Sequence, residues 1–125
     1  MDEYLLLIAG GILAYLMGSF SSAVWIGKWF YNTDVREHGS GNAGATNTIR
    51  VLGTKAGIIV MVLDIVKAWG AVMLAHLFAI DTWTEAQLVD YKIVVGSLAV
   101  LGHVFPVFTV FKGGKGVASL VGVII

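Results

Sequence analysis

Cysteine is absent from this sequence, proline occurs once, and charged residues make up only 13% of its 125 positions. Each shortage excludes something. Without cysteine there is no disulfide framework, no thiolate nucleophile and no cysteine-based metal site. A single proline beside sixteen glycines suits closely packed helices interrupted by glycine-rich loops. Ordinary soluble domains carry about 25% charged and about 45–50% apolar residues. Here 58% are hydrophobic and the mean hydropathy is +0.86. A soluble fold of this length cannot hide so much apolar surface, so lipid must cover part of it. The net charge of zero argues against nucleic acid and against a polybasic surface anchor. No cleavable signal peptide is expected, because Met1-Asp2-Glu3 is acidic where such signals are basic.

A spanning helix needs about 20 mostly apolar residues to cross about 30 Å of hydrocarbon. Residues 4–27 carry no charge and qualify. Residues 56–80 have the length and contain Asp64, Lys67 and His76, and residues 93–111 follow, with His103 and Pro106 near their end. The run that begins at Gly116 is still apolar at Ile125. Those residues reach only about 15 Å as a helix, half a bilayer. The expected fold class is all-α: a polytopic helical membrane protein with three full transmembrane helices, a truncated fourth (partial, 116–125) and glycine-rich cytoplasmic loops. It is expected to form one domain over residues 1–125, incomplete at the C-terminus. Outside these spans Lys28, Arg36, Arg50, Lys55, Lys112 and Lys115 fall on one side, and only Lys92 on the other. The positive-inside rule makes the first side cytoplasmic and leaves the N-terminus outside.

Two cytoplasmic segments carry chemistry. The first runs from Arg36 through Gly39-Ser40-Gly41-Asn42-Ala43-Gly44-Ala45-Thr46-Asn47 to Arg50. Glycine lets backbone approach a ligand, and successive N–H groups can form an anion-binding nest. Arg50 can add bidentate phosphate contacts. A flexible polar linker is the plainer alternative, but a linker has no need of so many hydrogen-bonding groups between two arginines. The second segment, Phe111-Lys112-Gly113-Gly114-Lys115-Gly116, leads into an apolar run ending in a partial helix. It does not match the Walker pattern. It can still present backbone N–H groups and the Lys115 charge at a helix N-terminus, which favours anions.

Asp64 and Lys67 are spaced i, i+3 and can pair on one helix face, with a structural ion pair favoured over catalysis. His103 reads as a buried hydrogen-bonding residue, since no second ligand lies at metal spacing. His38 is close enough to Ser40 to be considered as a base, although a loop histidine is more often polar surface. Gly10, Gly11 and Gly18 are expected to let helices pack closely. A small exporter or anion-channel subunit is the rival class. Small multidrug exporters depend on a carboxylate in the first helix, and residues 4–27 contain none.

Four blocks in order resemble the bacterial acyl-phosphate:glycerol-3-phosphate acyltransferase (PlsY) family. They are Gly18-Ser-Phe-Ser-Ser-Ala23, then Gly39 to Asn47 with Arg50, then Leu63-Asp-Ile-Val-Lys67, and Leu101-Gly-His-Val-Phe-Pro-Val-Phe108 with Phe111 to Ala118. Ala68 and Ser119 depart mildly from the family pattern, which commonly has glycine and threonine there. The family continues through further helices to a third motif with a histidine, an asparagine and a glutamate, and that motif is not in this chain. The chain by itself is therefore expected to be inactive.

The resemblance implies transfer of a fatty acyl group from acyl phosphate to the 1-hydroxyl of sn-glycerol 3-phosphate, giving lysophosphatidate and inorganic phosphate for phospholipid synthesis. It implies catalytic roles for Ser40, Arg50 and Lys115. Ser40, Asn42, Thr46 and Asn47 would hold the acyl-phosphate head. Arg50, Lys112, Gly113, Gly114, Lys115 and Gly116 would hold glycerol 3-phosphate. No cofactor or metal is implied, because acyl phosphate is already activated. The location would be the bacterial inner membrane, multi-pass, with the site facing the cytoplasm. Contact with the soluble enzyme that makes acyl phosphate is also implied. Ser40 is expected to be a phosphate or oxyanion ligand, not a nucleophile.

Overall fold

The computed structural model describes residues 2–110 and 112–125. Phe111, which falls in both the expected third span and the second glycine-rich segment, lies outside the described residues, as does Met1. Among the described residues the ordered elements are all helical: α1 (Glu3–Ser19), α2 (Ser22–Tyr31), α3 (Ala45–Leu52), α4 (Thr54–Phe78), α5 (Glu85–Val104) and α6 (Val117–Ile124), with single 3₁₀ turns at Val35–Glu37 and Val107–Thr109. By length and composition α4 and α5 can each cross a membrane, and α1 with α2 makes a third crossing if the bent pair is one span.

The expectation of one unbroken helix over residues 4–27 needs correction. The chain bends by 42° between α1 and α2, where Phe20 is extended. A break frees backbone carbonyls that apolar surroundings cannot satisfy. Here Lys67 Nζ reaches across from α4 and donates to the Phe20 carbonyl at 2.8 Å. The second helix then runs on to Tyr31, so Lys28 lies inside a helix and the loop begins at Asn32. The third span also shifts. It begins at Glu85, because Thr84 and Gln87 form a reciprocal capping box, and so Asp90 and Lys92 are helical.

The helices pack through small residues. Ala14, Ala71, Ala75, Val95 and Ala99 form the core between α1, α4 and α5, joined by Tyr91. Its hydroxyl donates to the Leu7 carbonyl at 2.9 Å. A Cβ on Gly18 would run into the Ala99 carbonyl, and one on Gly102 into the Tyr15 carbonyl. These two glycines set how closely α1 and α5 approach. Large apolar residues face outward along α4, with Ile58, Val62, Val66 and Trp69 all more than a third exposed, the surface a helix presents to lipid. A second core of Ala23, Val24, Val35, Ala43 and Val60 anchors the first glycine-rich segment against α2 and α4.

Candidate functional site

The first segment is held in shape from its two ends. Asp34 accepts from the Arg36 backbone N–H at 3.0 Å. It also takes a forked contact from the guanidinium, Nε to Oδ1 at 3.0 Å and Nη2 to Oδ2 at 2.8 Å. That contact holds the Asp34 carboxyl below the usual carboxylate range. Arg36 Nη1 donates to the Thr109 carbonyl at 2.9 Å, clasping the first segment to the end of the α5 region. The loop then passes Gly39 and Gly41 in left-handed conformations, at φ +57° and +77°, before entering α3.

Asn47 organises the middle of this loop. It is buried, and its Oδ1 accepts from the Ser40 N–H at 2.9 Å. Its Nδ2 donates to the carbonyls of Val35 (2.8 Å), Asn42 (3.0 Å) and His38 (3.2 Å). Both amide N–H groups are committed to these carbonyls, so none is left to donate to a phosphate. Asn47, expected as a phosphate ligand, thus commits its donors to holding the loop in shape. Ser40 remains exposed. Its hydroxyl accepts from the Asn42 N–H at 3.3 Å, and no histidine or carboxylate hydrogen-bonds it among the described residues. His38 and His76 are exposed, away from any such role.

A cavity of about 390 Å³ brings the two segments together. From the first come Ser40, Asn42, Thr46 and Arg50, with the edge of Asn47; from the second, Lys115 and Gly116. Asp64 and His103 form part of the wall, and Met61, Ile65, Val117 and Val121 supply an apolar side along α4 and α6. Both α3 and α6 begin at this cavity, and neither N-terminus has a side-chain cap. The first N–H groups of a helix lack intrahelical partners and carry partial positive charge. Two such ends at one cavity favour anions.

Lys112, Gly113 and Gly114, expected with Lys115 and Gly116 as a phosphate loop, are not among the residues lining this cavity. The Gly113 N–H donates to the Val104 carbonyl at 3.2 Å. A Cβ on Gly113 would collide with the His103 carbonyl, and one on Gly114 would lie 2.7 Å from the Ala43 carbonyl. These glycines allow the second segment to pack between α5 and the first loop, which places Lys115 and Gly116.

Beneath the cavity lies a buried polar cluster. Lys67 Nζ is 3.1 Å from Asp64 Oδ1 and 2.9 Å from His103 Nδ1. Asp64 is neutralised by Lys67, leaving Arg50 and Lys115 as the uncompensated charges of the cavity. The i, i+3 spacing anticipates the first contact. The part of His103 lies 36 residues away on α5, and only the tertiary fold reveals it.

The family described as Glycerol-3-phosphate acyltransferase matches residues 8–125. The chain belongs to this family. The glycerol-3-phosphate acyltransferase of Listeria welshimeri is 49% identical over 121 residues, which cover 95% of this chain and 58% of the relative. That of Streptococcus agalactiae is 45% identical over 114 residues, 91% of this chain and 52% of the relative. The crystal structure of PlsY (YgiH), an integral membrane glycerol 3-phosphate acyltransferase, superposes in its glycerol 3-phosphate form with a TM-score of 0.79 at 42% identity. The alignment covers 94% of this chain and 56% of that one. The lysophosphatidic acid form of the same enzyme gives 0.75 at 40% identity. The chain spans about half the length of the curated relatives it matches.

Proposed function

We propose that this chain carries the acyl-phosphate and glycerol 3-phosphate sites of a membrane acyltransferase that makes lysophosphatidate. The observation that carries the reading is the single cavity at which two uncapped helix N-termini, Arg50 and Lys115 converge. Both substrates of such a reaction bring a phosphate, so the site must hold two anions at attack distance and offset their repulsion. Ser40, Asn42 and Thr46, with the start of α3, hold the acyl-phosphate head. Arg50, Lys115 and the start of α6 hold glycerol 3-phosphate. The acyl chain lies along the apolar side formed by α4 and α6, inside the bilayer.

The transfer is direct. The 1-hydroxyl oxygen attacks the acyl carbonyl carbon, the bond from that carbon to the phosphate oxygen breaks, and inorganic phosphate leaves. The departing phosphate accepts the hydroxyl proton, so no protein base is required. An exposed Ser40 hydroxyl with no base hydrogen-bonded to it supports a ligand role. Asp64 and Lys67 are a structural pair that anchors α4 beneath the site. The orientation we infer puts the N-terminus outside and the site on the cytoplasmic side of a bacterial inner membrane, with α1–α2, α4 and α5 as the crossings and α6 part of a fourth. The test is to incubate the purified complete gene product with an acyl phosphate and labelled glycerol 3-phosphate. Equimolar lysophosphatidate and inorganic phosphate are expected. Phosphate release without lysophosphatidate would refute the reading.

A further inference from the structure

We propose that His103 is a substrate-binding residue whose Nε2–H donates a hydrogen bond to a phosphate oxygen in the cavity, with Lys67 as the positioning residue that fixes its tautomer. The inference rests on the acyltransferase reading and deepens it.

The tautomer follows from counting donors around Lys67. Its Nζ faces three atoms: Asp64 Oδ1 at 3.1 Å, the Phe20 carbonyl at 2.8 Å and His103 Nδ1 at 2.9 Å. An ammonium group has three N–H donors and accepts nothing. His103 Nδ1, within hydrogen-bond distance of that ammonium, must therefore accept, and it carries its lone pair toward Lys67. A doubly protonated ring would set an N–H against the ammonium at that distance. The neutral imidazole keeps its proton on Nε2.

The Nε2 edge faces the second glycine-rich segment, whose Lys115 and Gly116 line the cavity. His103 is 4% exposed, yet it belongs to the cavity wall. Its Nε2 makes no hydrogen bond to any described residue, whereas Nδ1 is held by Lys67. A Cβ built on Gly114 would sit 2.5 Å from Nε2, so the second glycine-rich segment runs directly past this nitrogen. An N–H donor without a protein partner at a cavity wall is free to meet a ligand acceptor. Phosphate oxygen is the acceptor that a cavity bearing Arg50 and Lys115 attracts. Lys67 thus links three features: it satisfies the carbonyl freed by the α1–α2 break, neutralises Asp64 and turns the histidine donor toward the ligand.

Two substitutions separate this role from a packing role. In His103→Asn the side-chain oxygen can still accept from Lys67, but nothing replaces Nε2–H. In His103→Gln the amide N–H reaches the Nε2 position. The purified complete gene product is titrated calorimetrically in two arms, with sn-glycerol 3-phosphate and with a non-hydrolysable acyl phosphonate. His103→Asn is expected to weaken one arm by about 10-fold or more, with His103→Gln recovering most of that loss; the affected arm identifies which phosphate His103 contacts. Equal weakening in both variants, or unchanged affinity in both arms for His103→Asn, would overturn the inference. If the unsubstituted protein binds neither probe, the acyltransferase reading itself fails. Selective ¹⁵N-histidine NMR adds a measurement that needs no variant at position 103. It should show a protonated Nε2 whose resonance moves on adding the bound probe, and an Nε2 resonance indifferent to both probes would also overturn the proposal.

Discussion

Replacing Asn47 by aspartate changes almost no volume and should still be among the most damaging substitutions in the first segment. The Asn47 Nδ2 now donates toward three carbonyls, Val35, Asn42 and His38, at 2.8, 3.0 and 3.2 Å. A carboxylate keeps only the acceptor side, toward the Ser40 N–H. It turns an oxygen on three carbonyl oxygens at a position 1% exposed. Each buried acceptor that loses its partner costs about 1–3 kcal/mol, and the buried, unpaired charge adds more. The Asn47→Asp variant should lose about 3–5 kcal/mol, above the roughly 0.5–3 kcal/mol of most single substitutions. Asn47→Ala should lose less at neutral pH, because it introduces no charge. The sign with pH follows from the same contacts. Burial and facing carbonyls raise the folded pKa of the introduced carboxyl above its unfolded value of about 3.9. The loss is therefore smallest below that value, where the neutral acid donates one hydrogen bond, and it grows as pH rises toward the folded value. Tryptophan-fluorescence melting in detergent reads this directly, with an expected fall in Tm of about 10 °C or more at neutral pH. A variant as stable as Asn47→Ala at pH 7, or one whose melting ignores pH, would refute the scaffolding role.

Other consequences are more local. Gly114→Ala places a methyl group 2.5 Å from His103 Nε2 and 2.7 Å from the Ala43 carbonyl, so melting should reveal a loss of about 1–3 kcal/mol from overpacking; an unchanged Tm would contradict the packing. Asp34→Asn weakens the clasp to Arg36 and should cost about 1 kcal/mol. Because the Asp34 carboxyl is held below its ordinary value of 3.8, that contribution is complete above the ordinary value and lost only as pH falls through the lowered one. The stability difference between Asp34→Asn and the unsubstituted protein should therefore stay flat from pH 8 to about 5. Lys55→Cys and Thr82→Cys, each the sole cysteine of its chain, should label from opposite faces of sealed vesicles. Labelling from the same face would reject the inferred topology.

The broad layout was legible in the sequence because lipid imposes a coarse rule: long apolar runs become helices that satisfy their own backbone. The rule is blind to interruptions. The Gly18-Ser19-Phe20-Ser21-Ser22 cluster is the kind of site where helices kink, but hydropathy averages over it and the compensating donor, Lys67, is 47 residues away. The boundary at Glu85 was hidden for another reason. Asp90 and Lys92 look like loop residues by hydropathy, while the local Thr84–Gln87 capping box sets the true start. In the site, composition pointed to the two glycine-rich segments, and they do meet at one cavity. Composition could not separate residues that line the cavity from those that shape it. Gly113 and Gly114 belong to the second kind because their backbone is packed against neighbours, and Asn47 does both, lining the cavity while its donors hold the loop. His103 is the converse, a residue read as buried structure that belongs to the cavity wall.

The central claim is that the two glycine-rich segments serve one reaction in one cavity. A double-mutant cycle on kcat/KM for acyl transfer tests it most directly, using Arg50→Ala, Lys115→Ala and the pair in the complete gene product. Charged groups acting on shared ligands in one site should be coupled by more than about 0.5 kcal/mol. Effects that add to within about 0.3 kcal/mol would place the two residues at independent sites and contradict the account.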